Sequence, residues 1–167
     1  MTLNVQTPAG AQGLKWEQRA AQIITSNWPG CRYCKTPTES GAVIDAVLVN
    51  QNNMIKCVAE TKSRDCTLDK LQKEYDNEWL ITFTKLTSGQ QIAAAMCVDY
   101  WGFLHLVPDD IVLPVLFWTP HERIKNAWQI DFHVKKLVTS KGVNGGKEER
   151  NNAFVDMTGV KILKVKA

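Results

Sequence analysis

The sequence predicts an α/β domain with a mixed central sheet flanked by helices and a C-terminal extension. Stretches with apolar residues at three- and four-residue spacing alternate with short apolar runs that are bounded by turn residues. Up to residue 107 these stretches read α-β-β-α-β-α-β. The chain has 167 residues, 44% of them hydrophobic, which suits one domain with its own core. We therefore expect a single domain over residues 1–167, with its core at about 13–107 and the extension at about 108–167.

The first helix is predicted from about Leu14 to Asn27. Its apolar residues form one stripe that includes Ala21 and Ile24, and the helix stops at the breaker Trp28-Pro29-Gly30. Glu17 falls on the same stripe, where a charge is out of place.

Two strands follow, and together they predict a hairpin. Residues 42–49 are apolar on both faces except for Asp45, which is typical of a central strand covered on both sides. Residues 50–53 form a polar turn, and residues 54–62 form the second strand. Alternation places Glu60 and Lys62 on one face of that strand, about 7 Å apart along it.

The later elements are predicted from caps and alternation. Thr67 caps a helix with an apolar face of Leu68, Leu71, Tyr75 and Trp79. The remaining predictions are a strand at 80–84, a helix from the Ser88-Gly89-Gln90-Gln91 capping box to about Tyr100, a strand at 102–107, a helix from Thr119-Pro120 to Gln129, a strand through Ile130, Phe132 and Val134, a polar loop at 140–152 and a closing strand at 160–165.

The misplaced charges indicate a metal site. Burying an unpaired charge costs several kcal/mol, so Asp45, Glu60 and the inward Glu17 need compensation. A divalent cation supplies it, and Mg²⁺ is usually held by one or two carboxylates together with waters and substrate phosphate. A neighbouring lysine such as Lys62 can orient a water or stabilise developing charge, so the set suits phosphodiester hydrolysis.

These residues also resemble a known nuclease signature. Ile44-Asp45 followed by Val58-Ala59-Glu60-Thr61-Lys62 resembles the motif of the PD-(D/E)xK nuclease superfamily, an aspartate on one strand and an acid-x-lysine on the next. Residues 13–19 are similar to the helix that contributes a further acid in several branches. The resemblance spans about residues 13–107, is closest in shape to archaeal Holliday junction resolvases, and implies a restriction-endonuclease-like fold.

The resemblance implies roles for individual residues. Asp45, Glu60 and the Thr61 carbonyl would ligate Mg²⁺, for which Mn²⁺ could substitute. Lys62 would position the attacking water, and Glu17 would bind a second metal or orient the first. Two departures exist: Ile44 stands where many members have proline, and Gln72 and Tyr75 are three residues apart, whereas the exonuclease branch has them four apart.

The expected activity is therefore metal-dependent cleavage within DNA by a structure-selective, junction-resolving enzyme. A site-specific endonuclease of restriction or homing type is the second reading, and a catalytically inactive nucleic-acid-binding module of the same fold is the third. Cutting two strands favours a homodimer. Arg64, Lys70 and Lys73 are expected to contact the DNA backbone.

The sequence says less about cellular location and about the chemistry of the cysteines. No apolar run reaches the length of a membrane helix and the N-terminus lacks a signal-peptide pattern, so we expect a cytoplasmic protein. The net charge of +3 permits a polyanionic partner without requiring one. Cys31 and Cys34 have half of a zinc site's spacing, which leaves both a zinc site completed by distant ligands and incidental thiols open.

Overall fold

The structure is a computed structural model, and it describes residues 7–37, 42–120, 128–140 and 146–167. The helices in these ranges are α1 (Pro8–Asn27), α2 (Leu68–Glu74) and α3 (Phe83–Met96). The strands are β1 (Arg32–Lys35), β2 (Ala46–Val49), β3 (Ile55–Arg64), β4 (Glu78–Thr82), β5 (Asp99–Leu106), β6 (Ile111–Trp118), β7 (Phe132–Ser140) and β8 (Lys147–Asp156).

The strands form two sheets. The first has five strands in the order β1-β2-β3-β5-β6, with β3 and β5 parallel and the other pairs antiparallel. The second has three antiparallel strands in the order β4-β8-β7. A mixed sheet with flanking helices confirms the predicted α/β class. Within the described residues, no helix is long and apolar enough to cross a membrane.

The central strand β3 is covered on both faces. On one face Cys57 and Ala59 pack beneath α1, in a core cluster that includes Ala20, Ile23 and Ile24. On the other face Val58 belongs to a cluster with Leu86 of α3 and residues of the second sheet. Glu60 and Lys62 lie on this second face, as alternation predicted. The carboxylate of Glu60 is therefore enclosed between the two sheets.

Most of the predicted order is present, with an additional strand. The β2–β3 hairpin is confirmed, and Asn53 in its turn has a φ of 58°. Strand β1, which lies between α1 and β2 in the chain and pairs with β2, was not predicted from the sequence. Helix α1 begins at Pro8 rather than near Leu14, because the Thr7 side chain accepts a hydrogen bond from the Gly10 amide and caps it there.

Two helix boundaries were predicted wrongly. Thr67 does cap α2, but the helix ends at Glu74 because Asp76 and Asn77 take positive φ values and turn the chain into β4. Tyr75 is therefore half-exposed, and Trp79 lies in a strand. Helix α3 begins at Phe83, directly after β4, so Ser88 lies inside it and does not open it. The buried residues Leu86, Gly89 and Ala93 form one face of α3 that spans the predicted start, and Gly89 packs against the Tyr100 ring.

The C-terminal third also differs from its prediction. Strand β6 was not predicted, and it tolerates Pro114 because it lies at the edge of the sheet. The expected loop at 140–152 is wrong from Lys147 onward, because this polar segment pairs along its length with β7. The expected strand at 160–165 is reduced to one bridge, between Val112 and Leu163.

The helix predicted after Pro120 lies mostly outside the described residues. Its predicted end is wrong, because Trp128 forms an antiparallel bridge with Trp118 and the Gln129 amide donates to the Phe117 carbonyl at 2.9 Å. This stretch of chain is extended where it meets β6.

The close approach of the two sheets depends on Gly102 in β5. Gly102 aligns with Glu60 across the parallel strand pair, and a Cβ there would lie 2.1 Å from Phe117 Cζ and 2.6 Å from Trp79 Cζ3. We expect Gly102→Ala to lower the free energy of unfolding by about 3 kcal/mol, because neither ring can move aside in a packed core. Chemical denaturation measures this change.

Gly13→Ala is the matched control for that substitution. Gly13 lies in α1 and an added Cβ would have nothing within 4 Å. It should raise the free energy of unfolding by about 0.5–1 kcal/mol through helix propensity. Equal effects of the two substitutions would contradict the packing described at Gly102.

Candidate functional site

Asp45 and Glu60 lie side by side across the β2–β3 strand pair. Asp45 directly precedes β2, at a bend, which corrects the prediction that it interrupts a strand. The pairing of Ala46 with Ala59 places the two carboxylates opposite each other. Both carboxylates contact one ammonium group: Lys85 Nζ lies 3.1 Å from Asp45 Oδ1 and 2.8 Å from Glu60 Oε1.

The Asp45 carboxylate is held in place by the backbone. Its Oδ2 accepts a hydrogen bond from the Thr61 amide at 3.0 Å, which leaves Oδ1 directed at Lys85. The Thr61 side chain points to the opposite face of β3, where its hydroxyl accepts from the Tyr33 hydroxyl at 2.8 Å. The strand backbone and Asp45 therefore form a rigid side of the site.

Glu60 is the most enclosed carboxylate of the pair. The residue is 3% exposed, and its Oε2 has no hydrogen-bond partner among the described residues. Burial and the neighbouring charge of Asp45 raise the pKa of Glu60 to about 8, although Lys85 opposes the shift. An unpartnered buried oxygen beside a second carboxylate favours uptake of a proton or a cation.

Lys85 is the residue of this site that the sequence reading missed. It comes from the first turn of α3, and the Tyr100 hydroxyl donates to its carbonyl at 3.2 Å. Burial lowers its pKa, but the charges of Glu60 and Asp45 outweigh this and raise it. Lys85 was missed because the predicted helix started five residues too late. The residue then appeared to follow a strand instead of lying in the first turn of a helix.

Lys62 lies on the same face as Glu60 but further toward solvent. Within the described residues it makes no hydrogen bond or ion pair, and its side chain reaches the surface. Partial burial disfavours the charged form and lowers the pKa of Lys62, and the positive charges of Arg64 and Lys85 lower it further. Its ammonium group is therefore available to a ligand.

The site opens into a cleft of about 880 Å³ between the two sheets. One wall comes from β3 and the other from β4 and β8 of the second sheet, with α2 at one end. The cationic side chains along it are Lys62, Arg64, Lys85 and Arg150. Arg150 was not anticipated, because the sequence placed it in a loop.

Glu17 lies apart from the carboxylate pair. It forms an ion pair with Lys35 of β1, on the α1 side of the sheet. Both groups influence Tyr33 of β1: burial raises the pKa of its hydroxyl, and the charges of Glu17, Asp45 and Glu60 raise it further. Glu17 therefore affects Tyr33 through its charge but pairs with Lys35 and not with Lys85.

The three predicted DNA contacts occupy different settings. Arg64 lines the cleft, and its Nη2 lies 3.4 Å from the Leu80 carbonyl. Lys70 pairs with Glu74 at 3.7 Å and Lys73 with Asp69 at 2.6 Å, both one turn apart on α2. Such exposed pairs are worth only a few tenths of a kcal/mol, so a phosphate can compete for either lysine.

The carboxylate pair fits a hard divalent cation better than the cysteines fit zinc. Cys31 and Cys34 are half-buried free thiols. In the described ranges no three His, Cys, Asp or Glu side chains converge on one position, as a structural zinc site would require. Mg²⁺ needs only one or two carboxylates, and the unpartnered Glu60 Oε2 next to Asp45 provides oxygen donors of that kind.

In comparisons with known proteins, no family model, no curated sequence and no solved structure matches this chain. The carboxylate pair, Lys85, Lys62 and the cleft therefore stand on their own geometry.

The raised pKa of Glu60 predicts a specific dependence of stability on pH. The folded protein keeps the Glu60 proton up to about pH 8, whereas the unfolded chain releases it near pH 4.5. The stabilisation from this group is present below pH 4.5 and is lost as the pH rises through 8. In EDTA, the free energy of unfolding of Glu60→Gln relative to wild type should rise by roughly 3–5 kcal/mol across that interval.

The measurement is denaturant unfolding of both proteins at half-unit pH steps. A difference between them that stays constant from pH 4 to 9 would contradict the burial of an ionisable Glu60.

Proposed function

We propose that this protein is a Mg²⁺-dependent endonuclease that hydrolyses phosphodiester bonds in DNA. The observation that carries the proposal is the buried Glu60 carboxylate, which lines a cleft and lies opposite the partly exposed Asp45. The cleft carries four cationic side chains among its acidic ones: Lys62, Arg64, Lys85 and Arg150. Lys62 follows Glu60 on the same face of β3, so a cationic group lies beside the carboxylate that would hold the metal, which suits phosphodiester cleavage.

The metal would be held by Asp45, Glu60 and the Thr61 carbonyl, with Mn²⁺ able to replace Mg²⁺. When bound there, the ion lowers the pKa of a coordinated water and neutralises charge on the phosphate. Glu17 would orient this arrangement from across Tyr33 or hold a second ion. The fit of Asp45 and Glu60 is supported by the unpartnered Glu60 oxygen.

The protein's own cations would orient the water, stabilise developing charge and bind the DNA. Lys62, with its lowered pKa and unpaired ammonium, would orient the attacking water and stabilise charge on the phosphate as the bond breaks. Arg64 on β3 and Arg150 on β8 lie on opposite walls of the cleft, and both would contact the DNA backbone. Lys70 and Lys73 would extend this contact along α2.

The substrate class is proposed from the resemblance and the shape of the cleft. The order of helices and strands supports a restriction-endonuclease-like fold, with β1 and the second sheet as additions. The cleft has a volume of about 880 Å³, and a distorted or branched DNA would offer it an accessible phosphodiester. We favour a structure-selective, Holliday junction resolvase-like enzyme that acts as a homodimer to cut two strands.

Two alternatives are each favoured by one observation. The second sheet forms a whole wall of the cleft and could read a base sequence, as a site-specific restriction or homing endonuclease would need. Lys85 already neutralises the carboxylates without a metal, as expected of a nucleic-acid-binding module that has lost catalysis.

The test is cleavage of a labelled panel of four-way junction, flap, single strand and plain duplex, with Mg²⁺, Mn²⁺ or EDTA. We expect metal-dependent cutting, strongest on the junction, and a loss on the order of 10²-fold or more in Glu60→Ala and Asp45→Asn. Lys136→Met is the matched control, because Lys136 pairs with Glu149 on the second sheet and is not part of the cleft lining.

Each contrary outcome selects another reading. Cutting that needs one sequence in every substrate would favour the site-specific enzyme. DNA binding without any metal-dependent cutting would contradict the nuclease proposal and favour the binding module.

A further inference from the structure

We propose that Lys85 is a built-in counter-ion that occupies the position of the metal ion between Asp45 and Glu60, and that its ammonium group must leave before a divalent cation can bind. The inference rests on the proposed function in one respect: it takes this carboxylate pair to be the metal site.

The ammonium group of Lys85 lies where a cation shared by the two carboxylates would lie. Asp45 Oδ2 is committed to the Thr61 amide, so Oδ1 is the oxygen left for a cation. That oxygen and Glu60 Oε1 both contact Lys85 Nζ, at 3.1 and 2.8 Å. A divalent ion bridging the two carboxylates would use the same oxygens and would repel an ammonium group a few ångströms away.

Of the three groups, Lys85 is the one that can move. Glu60 is enclosed, and Asp45 is fixed by the strand backbone. The Lys85 side chain is 44% exposed and already lines the cleft. Rotation of its four-carbon stem therefore releases the pair without disturbing the core.

The exchange has a consequence for the cleft. After Lys85 leaves the pair, its ammonium group remains in the cleft beside Lys62 and Arg64, where a phosphate can replace the lost carboxylate contacts. Lys85 thus supplies one positive charge to the Asp45–Glu60 pair when the metal is absent and adds a cation to the substrate side when the metal is present.

The experiment measures metal binding and thermal unfolding of the full chain, with Mn²⁺ or Mg²⁺ alone and no DNA. In EDTA, Lys85→Met should unfold at a lower temperature than wild type, because it leaves the Asp45–Glu60 pair without a cation. Its affinity for Mn²⁺ should rise by roughly tenfold or more, since the ion no longer displaces a positive charge. Saturating Mg²⁺ should then raise its unfolding temperature more than that of wild type.

Two further variants keep the test decisive. Lys85→Gln retains hydrogen-bond donors without the charge, and it should also bind Mn²⁺ more tightly than wild type. It replaces Lys85→Met in the test if that variant does not fold. Lys136→Met removes a lysine that pairs with Glu149 on the second sheet and should leave the Mn²⁺ affinity unchanged.

Equal or weaker Mn²⁺ binding by the Lys85 variants would overturn the proposal, and so would the absence of metal binding in every protein. The result is separate from the nuclease assay. Tighter metal binding without DNA cleavage would support the role of Lys85 while contradicting the enzyme, and cleavage with unchanged metal affinity would do the reverse.

Discussion

The burial of Glu60 beside a second carboxylate is the constraint on which the site depends. Strand β3 is covered by α1 on one face and by α3 and the second sheet on the other, so its side chains from Cys57 to Thr61 are removed from water. A carboxylate in that position loses its hydration, and the charge of Asp45 adds repulsion. The fold offsets this cost with the Lys85 ammonium group, the Thr61 amide at Asp45 and an open cleft at the end of the strand face.

The second sheet gives a role to the part of the chain that the sequence left unassigned. Strands β4 and β8 carry Trp79 and Val155 into the core and supply the far wall of the cleft. Because β4 leads directly into α3, the position of that sheet also sets the position of Lys85. The C-terminal extension is thus part of the site, through Arg150 and Asn152 at the cleft wall.

The parts that could be predicted are those decided by local pattern. The hairpin of β2 and β3, its polar turn and the shared face of Glu60 and Lys62 follow from period-two alternation and turn residues. The α1 stripe was predicted as well, because Ile23 and Ile24 lie three and four residues after Ala20 and all three are fully buried.

The parts that were missed are decided by distant contacts. Helix α3 packs its face of Leu86, Gly89 and Ala93 into the core and begins at Phe83, before the capping box at Ser88, so Lys85 in its first turn was missed. Pairing with β7 made a strand of the polar residues 147–152, although their composition is typical of a loop. The partnership of Lys85 with two residues 25 and 40 positions earlier has no local signature at all.

The most direct test of the central claim, that Asp45 and Glu60 form a metal site, is anomalous X-ray scattering from crystals soaked in Mn²⁺. We expect one strong anomalous peak between the Asp45 and Glu60 carboxylates, at about 2.2 Å from their oxygens, with Lys85 Nζ moved into the cleft. A map with no peak at this position, and with Lys85 still bridging the two carboxylates at saturating Mn²⁺, would contradict it.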